Sequence, residues 1–207
     1  VQRRFALATR ETSLSLNTSN VAHALDSFDE LLDLLEAGTL VGRPQDPAAE
    51  HGVYRRADRP LGVLDWAQSA SGLDRLVRAL QFGPHPNQVA AAVMWHPASP
   101  VIVESAEVVH LPHGAPPGEV LSADENGFTV ACAADAVRLS RFSQLSGAAI
   151  DPPAVLAAIG GVGTILPTLA DDDRRLLGGQ AVAAQPHENA LLHILRSIEP
   201  ASVPWPH

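Results

Sequence analysis

The chain has 207 residues, of which 46% are hydrophobic and 18% charged. This composition, with 15 glycines and 17 prolines, is typical of a globular protein with much loop. The formal charge of −9 would repel phosphate backbones, so we expect no general nucleic-acid surface. The single cysteine cannot form an internal disulfide, and no apolar stretch approaches the roughly 20 residues that span a bilayer. We therefore expect a cytoplasmic protein that binds neither nucleic acid nor membrane.

The start of the chain combines an extended segment with the clearest helix pattern. Val1 to Leu7 has the pattern of a strand from its first residue. Since the sequence also starts without an initiator methionine, we interpret the chain as a piece of a longer protein. Apolar residues then recur at spacings of four and three, which predicts a helix over 20–37. Asn20 is placed to cap its start, and Gly38 to end it in a left-handed turn. The apolar face of this helix comprises Val21, Leu25, Phe28, Leu32 and Leu35.

An irregular arm precedes a second helix. Residues 41–60 carry prolines that interrupt any period, which predicts an extended arm. A helix is predicted over 72–81, with Ser71 as its cap. Asp74 and Arg78, one turn apart, predict a weak ion pair on its surface.

Short β-type runs separated by turn residues fill the middle of the chain, and helical patterns return after residue 147. Five short strands at this spacing predict a small barrel of the oligonucleotide-binding type. The predicted strands are 89–95, 101–108, 119–122, 128–133 and 136–140, and the predicted helices are 153–159, 171–177 and 188–198.

Two groups of histidines could suggest metal ligands. His110 and His113 lie on a loop beside prolines, with no evident third ligand. His187, Glu188 and His193 superficially resemble a zinc-protease helix, but a spacing of six residues between the histidines separates the rings, whereas a spacing of four brings them together. We therefore predict surface histidines and no metal site.

Three further features have structural explanations that we prefer to functional ones. Asp171, Asp172 and Asp173 could bind a cation, but acids that open a helix fit N-capping and the helix dipole. The glycine-rich stretch 160–164 lacks the lysine of a phosphate-binding loop, which indicates a turn. Cys132 alternates with apolar residues and has no activating base beside it, so we predict a buried thiol.

The one concentration of basic residues lies in the predicted arm, where Arg55, Arg56 and Arg59 accompany Tyr54. This cluster could face an anionic partner such as a phosphopantetheine carrier or the glutamates of a folate. The alternative, which we favour, is a solvated arm between domains.

Nine short segments occur in an order that identifies a family. They are Val1–Phe5, Leu34–Gly38, Arg43–Gln45, Tyr54 with Arg55, Asp65–Trp66, Arg75–Leu80, Gln81–Asn87, Pro117–Leu121 and Val137–Leu139. In this order they resemble the formyltransferases that take a one-carbon unit from 10-formyltetrahydrofolate, the methionyl-tRNA formyltransferase family. Gln81–Asn87 further resembles the "D-F-G-P-Y-P-N" form of formyltransferase-like domains in nonribosomal peptide synthetases. The tail segments His187–Glu188, Leu195–Arg196 and Glu199–Pro200 resemble the linker before condensation-like regions of those synthetases.

The resemblance implies an α+β chain in three parts. Residues 1–60 would be the end of the formyltransferase-like α/β core with its connecting arm. Residues 61–146 would be a linker helix and the β-barrel subdomain. Residues 147–207 would be a helical tail or a linker to a downstream domain.

The resemblance also says which chemistry to expect. The family uses an Asn, a His and an Asp, the first two in an Asn-x-His motif that occurs nowhere in the 207 residues. His85-Pro86-Asn87 runs in the opposite order, and the family's Asp would lie just before Val1. We therefore expect no catalytic residue, and no bound 10-formyltetrahydrofolate, on this chain alone.

The implied function is the carboxyl-terminal part of a formyltransferase-like tailoring domain in nonribosomal peptide, and hence antibiotic, biosynthesis in a bacterium. Its partners would be a preceding catalytic segment and downstream synthetase or carrier domains. A non-catalytic docking module between synthetase domains is the alternative. A nucleic-acid-binding barrel is disfavoured by the charge and by the scarcity of aromatic residues.

Overall fold

The structure, a computed structural model, describes residues 1–42, 44, 46, 52–53, 55, 58–85, 87, 89–97 and 100–197. The chain divides into two units. The sheet unit comprises Val1–Gly52 and Gly62–Leu169, and the helical unit comprises Val53–Leu61 and Ala170–His207. The three-part division at residues 60 and 146 stays a prediction.

An antiparallel sheet forms the centre of the sheet unit. Its strands follow the order β1-β2-β5-β4-β3, and β6 pairs with β5. Each predicted strand is present, although the first shrinks to two residues and the last extends by three. The strands are β1 Val93–Met94, β2 Val101–Val109, β3 Val120–Asp124, β4 Gly127–Ala131, β5 Ala136–Ser143 and β6 Ala149–Ile150.

The sheet does not close into the predicted barrel within the described residues, because other segments bond its two end strands. The Leu64 amide donates to the Val93 carbonyl of β1 at 2.9 Å. At the opposite edge, the Val120 amide of β3 donates to the Thr164 carbonyl at 2.9 Å. The structure is therefore a mixed fold with an open antiparallel sheet, and the oligonucleotide-binding type of barrel is not confirmed.

The core of the sheet unit lies around β4 and β5. All five residues of β4 are buried, which requires cover on both of its faces. The rings of Phe128 and Phe142 stack with centroids 5.2 Å apart. The helix α2 (Ala70–Ala79) contacts β2 and β5, and the helix α3 (Pro152–Ile159) contacts β4 and β5.

The first helix, α1, spans Ser13–Glu36 and begins seven residues before its predicted start. Thr12, and not Asn20, caps it in a reciprocal capping box with Ser15. The Ser15 hydroxyl also bonds the Glu11 carboxylate and thereby lowers the pKa of Glu11. Gly38, with φ of +66°, ends the helix in the predicted left-handed turn.

Two other predictions about local structure are wrong. Val1 to Leu7 does not form a strand, because no described segment pairs with its backbone. The cap of α2 is Ser69 and not Ser71, since the Ser69 hydroxyl accepts from the Gly72 amide. The helix therefore starts one half-turn earlier than predicted.

The helical unit contains the helices α4 (Asp171–Ala184) and α5 (Glu188–Ser197), joined by one 3₁₀ turn at Gln185–His187. Arg59 is fixed in this unit by a bidentate pair with Glu188, at 2.9 and 3.2 Å. Among the helices of the described residues, none has both the length and the apolar character to cross a membrane.

Candidate functional site

An exposed apolar stripe runs along α1. None of the 24 residues of this helix is buried. The predicted apolar face is present, and its side chains are between 43% and 64% exposed. A contiguous apolar surface of this kind marks an interaction site. We call this surface the α1 apolar face: Val21, Leu25, Phe28, Leu32 and Leu35.

A different side of α1 holds the first residues of the chain. The Phe5 ring stacks on the His23 ring with centroids 4.5 Å apart. The Arg3 guanidinium lies 3.6 Å from the Asp26 carboxylate and 3.3 Å from that of Glu30. At 100° per residue these partners lie away from the α1 apolar face, which the first residues leave uncovered.

The beginning of α1 is tied to the end of α2 by three hydrogen bonds. The Leu14 amide donates to the Gln81 carbonyl at 3.0 Å, and the Ser13 hydroxyl donates to the Ala79 carbonyl at 2.5 Å. Arg78 Nη1 donates to the Glu11 carbonyl at 2.7 Å. These bonds fix one end of α1 on the sheet unit.

A buried carboxylate supports this junction. Asp74 is only 6% exposed, so the prediction of a surface pair with Arg78 is wrong. Arg78 Nε and Nη2 both lie 3.0 Å from Asp74 Oδ2. Arg10 Nη2 lies 3.4 Å from Asp74 Oδ1 and donates to the Ala106 carbonyl at 3.0 Å. Asp74 Oδ1 accepts no hydrogen bond within the described residues, so Arg10 acts on it through charge alone.

The sequence contained no local signal for the role of Arg10. Asp74 and Arg78 share a helix face, and their spacing is visible in the sequence. Arg10 reaches Asp74 only because the fold brings the start of α1 against α2 and β2. Contacts between residues this distant in the chain are not encoded in a periodic pattern.

A groove of about 420 Å³ opens beside the α1 apolar face. Phe5 and Phe82 contribute aromatic rings, and one stretch of α1 contributes Ser13, Leu16, Asn17 and Asn20. None of the described residues that line it is charged. We call this cavity the α1 groove.

The loop that presents Phe82 to the α1 groove is held by its glycine. Gly83 has φ of +61°, and a Cβ there would lie 2.5 Å from Leu14 Cδ2. Only glycine adopts this conformation at so short a distance from α1 without strain. The loop around Gly83 thus packs directly on α1.

Asn87, in the same segment, has a structural role. Its Nδ2 donates to the Leu80 carbonyl at 2.9 Å and also to the Ala90 carbonyl. Its Oδ1 accepts from the Val89 amide at 2.7 Å. Because these bonds occupy the carboxamide, Asn87 holds the loop closed. Pro86 lies outside the described residues.

The structure brings His110 and His113 together around one residue. His110 Nδ1 lies 3.1 Å from Asp135 Oδ2, and His113 Nε2 lies 2.7 Å from the Asp135 carbonyl. The carbonyl can only accept, so His113 donates through Nε2. The described part of the chain contains no group of three or more His, Cys, Asp or Glu side chains placed to hold a metal ion.

The other clusters found in the sequence have structural roles or lie partly outside the described residues. The Glu188 carboxylate is bonded to the Arg59 guanidinium. Arg55 donates its amide to the Asp58 carboxylate at 2.6 Å. Tyr54 and Arg56 lie outside the described residues, so the choice between an anionic partner and a solvated arm stays open.

The three acidic residues Asp171 to Asp173 occupy the first turn of α4, as predicted, but the N-cap is Ala170 without a side-chain bond. The prediction that these acids cap the helix is therefore wrong. Their position in the first turn still lets them interact favourably with the helix dipole. The stretch 160–164 forms a turn after α3, confirming that prediction. Cys132 is buried as predicted, and burial raises the pKa of its thiol to about 11. At neutral pH it is an unreactive thiol.

Comparison with known proteins finds similarity to formyltransferases. Residues 59–159 match the sequence family described as "Formyl transferase, C-terminal domain". Methionyl-tRNA formyltransferase of Xanthomonas oryzae pv. oryzae (strain PXO99A) is 33% identical over 151 residues, which cover 72% of this chain and 47% of that protein. The enzyme of the same name from Stenotrophomonas maltophilia (strain K279a) is 32% identical over 153 residues, with the same coverage.

The chain spans about half the length of the curated relatives it matches. Among solved structures, a variant of HypX from Aquifex aeolicus superposes with a TM-score of 0.51 at 18% identity. This match covers 73% of the chain and 27% of HypX, and at that identity it shows a common fold alone.

Proposed function

We propose that this chain, in which residues 59–159 match the formyltransferase C-terminal domain, is the carboxyl-terminal half of a formyl-transferring enzyme. In the proposed reaction the whole enzyme moves a formyl group from 10-formyltetrahydrofolate to an amine. The chain itself supplies no catalytic group, since the family's Asn-x-His motif is absent from its 207 residues. It binds no folate by itself on this proposal.

The α1 apolar face carries this proposal. Five large apolar side chains are exposed on a helix that buries none of its own residues. Leaving them in water is unfavourable, and covering them would stabilise the assembled protein by about 25 cal/mol per Å². The occupant we propose is the catalytic part of the parent enzyme, because the relatives are about twice as long as the matched segment.

The acceptor we propose is an amine on a nonribosomal peptide intermediate, in a tailoring domain flanked by synthetase or carrier domains. The formal charge of −9 supports this choice over a tRNA acceptor, since a negatively charged surface repels a phosphate backbone. The resemblance of segment 81–87 to the form found in peptide-synthetase domains supports the same acceptor. The alternative is a docking module that joins synthetase domains without taking part in formyl transfer.

Leu25→Asp should weaken association with a catalytic part by about 30-fold, because a carboxylate would be buried in an apolar interface. The partner for this measurement is the portion of the X. oryzae enzyme outside the 47% that the chain matches. Isothermal titration calorimetry gives the dissociation constant. Leu145→Asp is the matched control, since Leu145 is 66% and Leu25 64% exposed and Leu145 lies outside α1. Equal binding by both variants, or no binding by the unsubstituted chain, would contradict the proposed packing.

Joining the same portion of the X. oryzae enzyme ahead of this chain gives a chimera that tests the acceptor. We expect its kcat/KM for methionyl-tRNA to be about tenfold below that of the X. oryzae enzyme, owing to charge repulsion. We expect formylation of an aminoacyl group on a phosphopantetheine carrier. Unchanged activity on methionyl-tRNA with none on the carrier would contradict the acceptor proposal. A folded chimera inactive with both acceptors would favour the docking module.

A further inference from the structure

The α1 groove has walls that the fold fixes in advance. Phe5 is held by its stack on His23, and the position of Phe82 is set by Gly83 against Leu14. Both rings therefore lie in place without a ligand. Preformed pockets with aromatic walls are where single side chains contribute most to a protein interface.

The polar groups of the groove are neutral. Asn17 and Asn20 are exposed, and neither carboxamide bonds another group of the described chain. Each offers two N–H donors and one oxygen acceptor, which match the N–H and C=O groups of a peptide backbone. A charged ligand would find no counter-charge among the lining residues, so burying one here would be unfavourable.

The groove is continuous with the α1 apolar face. Asn17 precedes Val21 by four residues, which places them as neighbours on the helix surface. A partner that covers Val21 and Leu25 therefore passes over the carboxamide of Asn17. The occupant of the groove and the occupant of the apolar face are then the same molecule.

We propose that the α1 groove is the anchor pocket of the α1 interface. It receives one apolar side chain of the catalytic part of the parent enzyme, while Asn17 and Asn20 bond the main chain beside that residue. This inference rests on the proposed function and adds to it the position of the most sensitive contacts, together with the chemistry they recognise.

A variant that fills the pocket tests this inference. Asn20→Trp places a bulky ring in the groove at an exposed position, and we expect it to weaken binding of the X. oryzae portion by about 30-fold. Asn126→Trp, at an exposed asparagine of the β3–β4 turn, is the control and should bind normally. Far-UV circular dichroism of both variants checks folding.

The double variant Asn17→Ala/Asn20→Ala tests the polar contacts separately, with an expected loss of about tenfold in affinity. If Asn20→Trp and the double variant bind like the unsubstituted chain while Leu25→Asp does not, the anchor pocket is wrong and the interface stands. If Leu25→Asp also binds normally, the proposed function fails at the same step. Loss of binding in Asn20→Trp alone would assign the groove to apolar contact and overturn the role of the two carboxamides.

Discussion

Trp66→Ala is expected to lower the free energy of unfolding of the sheet unit by about 3–5 kcal/mol. Trp66 is the largest fully buried side chain, at 1% exposure. Its ring lies against Gly118, where a Cβ would approach the Trp66 Cδ1 to 3.2 Å. Truncation therefore removes both the apolar burial and the contacts that the surrounding backbone cannot rebuild.

The measurement is urea unfolding followed by far-UV circular dichroism, because the substitution removes a fluorophore. Trp66→Phe keeps much of the volume and should cost about 1–2 kcal/mol. Leu145→Ala, at a side chain that is 66% exposed, should change stability by less than about 0.5 kcal/mol. A loss below about 1 kcal/mol for Trp66→Ala would contradict the central position of this side chain in the core.

The backbone around Trp66 also has a structural role. Its backbone carbonyl accepts from the Ala133 amide at 3.1 Å, at the end of the β4 region. The segment before α2 is thereby tied to the sheet. The Asp65–Trp66 pair thus has a structural explanation that requires no contact with a substrate.

The strands were predictable because short alternating runs between turn residues can form few structures other than strands. The prediction for β5 failed only at its end, where Phe142 and Ser143 remain buried in the sheet. Closure of the sheet was not predictable, since it depends on which segments bond β1 and β3. Segments 62–64 and 163–166 take those positions, and neither has a strand pattern of its own.

The start of α1 shows a different limit. Its first two turns contain serine, asparagine and threonine, which favour caps and turns when judged by propensity. Tertiary bonds from Ser13 and Leu14 to the end of α2 stabilise these turns as helix. The apolar face was visible from the residue spacing, but spacing cannot say whether a face is covered within the same chain. Whether a helix with an apolar face belongs to a core or to an interface therefore had to come from the structure.

Asp74→Ala should cost about 2–4 kcal/mol, since it leaves the half-buried Arg78 guanidinium without its carboxylate. Arg10 contributes little to this figure, because its side chain is 52% exposed and water can replace its partner. Asp74→Asn keeps one acceptor for Arg78 and should cost less, about 1–2 kcal/mol. The matched control is Asp172→Ala, whose pair with Arg175 is almost fully exposed and should be worth less than about 0.5 kcal/mol.

The same substitution should also loosen the start of α1, because Arg78 positions the Glu11 carbonyl at that junction. Hydrogen exchange of the Leu14 amide, which bonds the Gln81 carbonyl, reports this directly. We expect faster exchange at Leu14 in Asp74→Ala and unchanged exchange in Asp172→Ala. If global stability falls while Leu14 keeps its protection relative to β4, the carboxylate supports the core but does not orient α1. The direction in which α1 presents its apolar face would then depend on the bonds of the Ser13 hydroxyl and the Leu14 amide.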